Sequence, residues 1–166
     1  MNRAQLVFCG MVMALAGAGC MKTEEFPPEP HLEYLSFTND PNDAVMRFNF
    51  TDGDGNVGLD SKDTLAPFDP VNDPVNVYHW NLWIKYYEKI DGEWVEIPLD
   101  PNSTYSRIPR LDPEGQNKAL EGEVIIDMTG WFPLTPADTV RYGVILVDRD
   151  LNQSKEAMSE EIYPPQ

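Results

Sequence analysis

Short stretches in which apolar and polar residues alternate run through the chain from residue 32 onward. In the segment 45–50, Met46, Phe48 and Phe50 share one face, while Arg47 lies on the other. A period of two is typical of a β-strand with one face in the core. The pattern predicts strands at residues 32–38, 44–51, 80–90, 93–97, 121–128, 139–148 and 156–162.

The hydrophobic pattern of these segments predicts an all-β domain. Residues 142–147 are apolar on both faces, which is typical of a central strand that is covered on both sides. No segment keeps the three-and-four spacing of an amphipathic helix over three turns. We therefore expect a β-sandwich of about seven strands. Two long insertions, 60–79 and 98–119, are either binding loops or segments that wrap over sheet edges.

The dipeptide Asp91-Gly92 suits a two-residue type I′ turn between two of these strands. With this turn, Lys89 lies opposite Trp94, and Tyr87 lies opposite Glu96. The apolar face of the hairpin is then Leu82, Ile84, Tyr86, Val95 and Ile97. The other face shows Trp83, Lys85, Tyr87, Lys89, Trp94 and Glu96.

Three rings on this second face, Trp83, Tyr87 and Trp94, suggest a ligand site. Sugar C–H faces stack on aromatic rings, and sugar hydroxyls bind polar neighbours. The alternative is structural, because cross-strand aromatic pairs and a Lys89–Trp94 cation–π contact would stabilise the sheet. We assign Trp80 and Trp131 to packing in the core or at the ends of the sheets.

The pattern of residues in the segment 52–63 is compatible with a metal-binding loop. Oxygen-bearing side chains recur there at alternate positions between glycines, and Ca²⁺ takes roughly six to eight oxygen ligands. The alternative is a turn in which Asp and Asn bind their own backbone. Counted as an EF-hand loop, the metal ligands are Asp52, Asp54, Asn56, the Gly58 carbonyl, Asp60 and Asp63, although Val57 takes the place of the usual glycine.

The N-terminus has the features of an export signal. Arg3 precedes an apolar run at 6–15, and small residues lead into Cys20. The run is too short to span a membrane. This arrangement resembles the signal of bacterial lipoproteins, with Gly17 where that signal usually has Leu. The resemblance implies that residues 1–19 are removed and that Cys20 is acylated.

The acidic segment 21–25 resembles the tether of outer-surface lipoproteins of the Bacteroidetes group. This implies an outer-membrane protein held by its acyl groups at the cell surface, with the periplasmic face as the alternative. The domain organisation is then a signal peptide at 1–19, a tether at 20–30 and one domain at 31–164. The Pro-rich end of the tether is a stiff spacer.

Charge and cysteine content narrow the function classes. The formal net charge is −16, and removal of Arg3 with the signal makes the chain more negative by one. Such a charge repels phosphate backbones, so we expect no nucleic acid partner. Cys9 lies in the signal and Cys20 would be acylated, so we expect no disulfide.

The segment 140–154 resembles the penultimate strand and last turn of fibronectin type III or immunoglobulin-like domains. In those domains an early tyrosine, here Tyr142, ties the strand to a loop, and an Asp-x-x-x-Asn-x-Ser turn, here Asp148, Asn152 and Ser154, leads to the last strand. The resemblance implies an immunoglobulin-like β-sandwich. The chain also resembles small Bacteroidetes lipoproteins through the segments 26–30, 50–56 and 109–122, which implies no particular activity.

The sequence contains none of the common catalytic motifs that we considered. His31 and His79 are the two histidines, and the sequence has no Gly-x-Ser-x-Gly or His-Glu-x-x-His motif. We therefore expect a non-catalytic envelope lipoprotein that binds a glycan or a protein partner. The alternative is a structural or assembly component that pairs through a sheet edge, and a carboxylate-based hydrolase is the third choice.

Overall fold

The computed structural model describes residues 26–38, 40, 43–71, 74–114, 116–129 and 137–164. All seven predicted strands are present, although the last is shorter than expected. A 3-10 turn at Val77–His79 and a short helix α1 at Pro101–Thr104 lie in the connections. The strands are β1 (His31–Thr38), β2 (Val45–Asp52), β3 (Leu82–Ile90), β4 (Glu93–Ile97), β5 (Leu120–Asp127), β6 (Val140–Leu146) and β7 (Ala157–Met158).

The strands form two antiparallel sheets around one core. Three strands are ordered β1-β2-β5, and four are ordered β4-β3-β6-β7. The prediction of an all-β domain with two antiparallel sheets is therefore confirmed. Among the described residues, no helix is long and apolar enough to cross a membrane.

The core follows from the alternation in the sequence. On β2, Met46, Phe48 and Phe50 are buried, while Arg47 faces outward and pairs with Glu123 of β5. From the other sheet, the core receives the Tyr86 and Tyr142 rings, whose centroids are 5.5 Å apart, together with Leu82, Ile84, Val140, Val144 and Leu146. Burial of these large apolar side chains is the main contribution to stability.

The hairpin between β3 and β4 has the predicted register. Lys89 pairs with Trp94, and Asp91 and Gly92 have φ values of 51° and 86°, as a type I′ turn requires. Val95 lies on the predicted face, two residues from Ile97 and opposite Glu88, but it is 39% exposed. β4 is an edge strand, and an edge strand is less covered than the central strands.

Arg107 joins the two long insertions. Its Nε donates to the His79 carbonyl, its Nη1 to the Asp60 carbonyl at 3.1 Å, and its Nη2 to the Asp63 and Phe68 carbonyls at 2.8 and 3.2 Å. The first insertion is thus held against the second by one guanidinium group. Both insertions therefore wrap over the sheets.

The end of the predicted tether packs against the domain. The Pro27 carbonyl accepts a hydrogen bond of 2.8 Å from the Gly53 N–H, and Pro30 is buried. The end of the predicted spacer is therefore packed on the loop that follows β2. The predicted signal peptide at 1–19, Cys20 and Trp131 lie outside the described residues.

Candidate functional site

The loop that follows β2 has a tight path that glycine permits. Gly55 and Gly58 have φ values of 70° and 102°, in the left-handed region. A side chain at Gly55 would collide with the Lys118 carbonyl, and one at Gly58 with the Pro109 carbonyl. The loop therefore lies directly on the second insertion.

Val57 fixes the direction of this loop. Its N–H donates to Asp52 Oδ2 at 2.8 Å, and the residue forms an antiparallel bridge with Asp148, just after β6. The end of β2 in one sheet is thereby brought to the end of β6 in the other sheet.

The turn after β6 is built by the side chains of the Asp-x-x-x-Asn-x-Ser motif. Asp148 accepts hydrogen bonds from the Asn152 N–H at 2.8 Å and from Asn152 Nδ2 at 2.7 Å. Ser154 Oγ accepts from the Leu146 N–H at 3.0 Å and donates to the Lys155 carbonyl at 2.9 Å. The two bonds from Asn152 hold the Asp148 carboxylate in a fixed orientation.

The loop and the turn together form what we call the aspartate cluster, Asp52, Asp54 and Asp148. Each residue contributes a carboxylate oxygen, and these oxygens all lie within 4.8 Å of one another. Asp52 and Asp148 are buried, while Asp54 is exposed. Asn56 lies at the rim, where its Nδ2 donates to Asp54 Oδ2 at 3.1 Å and to Asp150 Oδ2 at 3.0 Å.

The surroundings of the aspartate cluster disfavour its negative charge. Burial raises the pKa of Asp52 to about 6, and repulsion by Asp54 and Asp148 adds to the rise, against the hydrogen bond from Val57. Burial also raises the pKa of Asp148, with a further contribution from Asp54, while hydrogen bonds from Asn152 oppose it. At neutral pH the cluster therefore holds concentrated negative charge at a cost in stability.

Two oxygen atoms at the cluster lack a donor. Asp52 Oδ1 and Asn56 Oδ1 are both buried, and neither has a hydrogen-bond partner within the described part of the chain. A buried polar atom without a partner is uncommon and is costly in free energy. The cluster therefore contains two buried oxygen atoms to which no described residue donates a hydrogen bond.

Two of the predicted metal ligands, Asp60 and Asp63, are not in the aspartate cluster. They form a turn of their own, in which Asp63 Oδ2 accepts from the Asp60 N–H at 2.7 Å and Asp60 Oδ1 accepts from the Lys62 N–H at 2.9 Å. Of the residues in the EF-hand count, the structure brings Asp52, Asp54 and Asn56 together and leaves Asp60 and Asp63 apart from them. The reason is that the Val57 bridge carries the chain across to β6.

Asp148 takes part in the cluster instead, although it was predicted only to cap a turn. The sequence contained a weak signal for it, since Asp148 and Asp150 directly follow a strand that is apolar on both faces. That pattern indicates acidic residues at the end of a strand. It does not show that this strand end lies beside Asp52.

The proposed sugar-binding rings do not form one exposed platform. Trp83 is only 8% exposed, and its Nε1 donates to the Val77 and Trp80 carbonyls at 3.1 and 3.2 Å. Its ring stacks on Tyr105, with centroids 5.9 Å apart. Trp83 is thus covered by the two insertions, which the hairpin pattern alone did not reveal.

The other two rings, Tyr87 and Trp94, are in contact with cations. The Arg141 guanidinium lies 4.2 Å from the Trp94 ring centroid and 5.7 Å from that of Tyr87, and Lys89 Nζ lies 5.4 Å from Trp94. The Tyr87 hydroxyl donates to Glu156 at 2.6 Å. This geometry supports the structural alternative for the face, which is cross-strand packing.

A groove of about 530 Å³ opens on one side of the two sheets. One wall is β5, and the other is the segment 106–111, which continues the edge of the second sheet through a bridge between Ser106 and Leu82. Among the described residues, no strand pairs with β5 on the side away from β2. Apolar residues line the groove: Phe50, Leu82, Ile108, Leu111, Val124 and Ile126.

Comparisons with known protein families, with curated proteins and with solved structures find no match for this chain.

Proposed function

We propose that this protein is a non-catalytic lipoprotein of the cell envelope that binds an extended segment of a partner protein along β5. The open groove between β5 and the segment 106–111 is the observation that carries the proposal. Here an edge strand lies beside an apolar groove. Such an edge can pair with a strand of another protein, because main-chain hydrogen bonds supply affinity and alternate side chains of the added strand fill the groove.

The side chains of β5 indicate the chemistry of the partner. Ile125 is 56% exposed on the outer face of this strand, whereas most exposed positions around it are acidic. An exposed isoleucine on an edge strand favours pairing with another chain. The exposed acids Glu121 and Asp127 favour a partner segment with basic side chains.

We further infer that the two sheets form an immunoglobulin-like sandwich. When the strands are lettered A, B, C, C′, E, F and G in chain order, the two sheets read A-B-E and C′-C-F-G. This is close to the arrangement of that family, in which strand C′ extends the sheet of strands C, F and G. In this lettering Tyr142 lies on strand F, where the family has its tyrosine.

The location of the protein is proposed from the N-terminal sequence. Acylation at Cys20 would hold the domain at the outer membrane, displayed at the cell surface or, alternatively, at the periplasmic face. Replacing Cys20 with Ser is expected to move the protein from the membrane fraction to the soluble fraction of the native host, because the acyl chains supply the membrane affinity. Fractionation with immunoblotting measures this, and a variant that stays in the membrane would refute the anchor.

The edge proposal predicts the effect of a charge on β5. Ile125→Lys is expected to abolish co-purification of the partner from cross-linked, detergent-solubilised envelopes, because the lysine side chain opposes strand addition and the site is already exposed. Leu35→Lys is the matched control. Leu35 is 44% exposed on β1, the opposite edge of the same sheet.

Quantitative mass spectrometry of the cross-linked material compares the two variants with the unaltered chain. We expect one partner to be retained by Leu35→Lys and depleted at least about tenfold by Ile125→Lys. Equal recovery with both variants, or equal loss, would show that β5 is not the docking edge.

A further inference from the structure

The aspartate cluster has the dimensions of a site for one metal ion. Its three carboxylate oxygens lie within 4.8 Å of one another. Three oxygens within 4.8 Å of one another lie within about 2.8 Å of a common centre, so small side-chain shifts bring all three to the Ca²⁺–oxygen distance of about 2.4 Å. The oxygens come from two chain segments that the Val57–Asp148 bridge holds together.

The buried Asp52 carboxylate provides an independent observation that points to a ligand. The residue is fully buried, with 0% exposure. Its Oδ2 accepts from the Val57 N–H, but its Oδ1 has neither solvent nor a donor from the described residues. A turn held by Asx hydrogen bonds explains Oδ2 and leaves Oδ1 without a role. A cation at the cluster would give this oxygen its partner.

Asn56 has the same feature. Its Nδ2 is held between Asp54 and Asp150, while its Oδ1 is buried and lacks a donor. An amide oxygen is a common Ca²⁺ ligand in loops where Asp and Asn alternate. Asp150 does not belong to the group of three but orients Asn56 through its hydrogen bond.

The chemistry of the donors selects the kind of ion. All of them are oxygens, which are the ligands of hard cations, whereas zinc and copper sites favour nitrogen and sulfur. Three carboxylates match a divalent ion better than a monovalent one. The exposed Asp54 leaves one side open for water, and the mixture of fixed and exposed ligands suits the flexible coordination of Ca²⁺ better than the strict octahedron of Mg²⁺.

We propose that Asp52, Asp54, Asp148 and Asn56 bind one Ca²⁺ ion, which fastens the end of β2 to the end of β6. The proposal is independent of partner binding at β5, since it uses different residues and a different measurement. The ion would link the two sheets in a part of the chain whose described residues include no cysteine for a disulfide. Ca²⁺ that binds only the folded protein raises its melting temperature.

The test uses the full-length chain in detergent, first stripped with EGTA. Equilibrium dialysis with Ca²⁺ is expected to show one ion per chain. Calorimetry is expected to show that the melting temperature rises by about 5 to 10 °C when Ca²⁺ is about 100-fold above its dissociation constant. NaCl at equal ionic strength provides the comparison for screening, and Mg²⁺ provides the comparison for ion type.

The variants Asp54→Asn and Asp63→Asn make a matched pair, because each removes one acid from the same segment of the chain. Asp54 is exposed, so its variant keeps the fold, and it is expected to bind Ca²⁺ at least about tenfold more weakly. Asp63 lies outside the cluster, and its variant is expected to bind Ca²⁺ like the unaltered chain. Absence of a stoichiometric ion, an equal shift with Mg²⁺, or equal weakening in both variants would overturn the proposal.

Discussion

Replacing Arg107 with Met is expected to lower the free energy of unfolding by about 3 to 5 kcal/mol, which is a large part of the stability of a domain this size. The guanidinium donates to the carbonyls of Asp60, Asp63, Phe68 and His79. Methionine fills most of the volume but donates nothing, so these carbonyls would lose a charged donor. Hydrogen bonds to a charged group each contribute more than neutral ones.

Arg110→Met is the control for this prediction. Arg110 is exposed and forms an ion pair with the exposed Asp112, with 2.8 Å between Nε and Oδ1. A surface pair of this kind contributes little, so the change is expected to stay within about 0.5 kcal/mol. Urea unfolding followed by tryptophan fluorescence measures both variants.

Local unfolding of the Arg107→Met variant is expected to begin in the first insertion. Proteolysis under native conditions should cut the segment 60–79 first, because that insertion is the part that Arg107 holds and because loops open at lower free energy than core strands. If the two arginine variants were equally stable, Arg107 would not be the residue that fastens the insertions.

Replacing Asp52 with Asn is expected to stabilise the protein in EGTA at pH 8, by up to roughly 3 kcal/mol. The folded pKa of Asp52 is raised from 3.8 to about 6. A carboxyl with a raised pKa binds more protons in the folded state than in the unfolded state between these values. Stability is therefore lost as the pH rises from 3.8 through about 6, and it stays low above that range. Asparagine has no charge to bury, so the variant avoids this loss.

The asparagine side chain also suits the hydrogen bonds at this position. Its Oδ1 can replace Asp52 Oδ2 as the acceptor from the Val57 N–H, and its Nδ2 can donate toward the carboxylates of Asp54 and Asp148. The stabilisation should therefore be seen at pH 8 and vanish near pH 4. Saturating Ca²⁺ should reverse the order of stability, since the variant lacks one charged ligand.

Urea unfolding at pH 4, 6 and 8, in EGTA and in Ca²⁺, measures these effects. Asp127→Asn is the control, because a hydrogen bond from the Thr129 N–H lowers the pKa of the exposed Asp127 carboxyl. That variant should give no stabilisation at pH 8. An Asp52→Asn variant that is less stable than the unaltered chain in EGTA at pH 8 would contradict a destabilising effect of the buried Asp52 charge.

The hairpin shows how much of the fold local sequence can predict. Alternation on β2 and β3 identified the core faces, and Asp91-Gly92 fixed the register that pairs Lys89 with Trp94. These features depend on neighbouring residues and on the backbone preferences of a two-residue turn. They could therefore be predicted before any contact between distant segments was known. The lipoprotein signal and the acylation of Cys20 remain predictions of the same local kind.

The candidate site was predicted only in part, for the opposite reason. The segment 52–56 has oxygen ligands at the correct spacing, but the remaining acid of the cluster, Asp148, comes from a distant strand. Trp83 has the alternation of a surface residue, yet the insertions cover it. Arg107 has no local pattern that marks it.

The sequence by itself determined the strands, the faces they bury, the tight turns and the charge of the chain, because each depends on residues close together along the backbone. The tertiary structure alone decided that β2 ends beside β6, that β5 is an open edge, and that one arginine fastens both insertions. Those features depend on which segments become neighbours, and the packing of the whole core decides this.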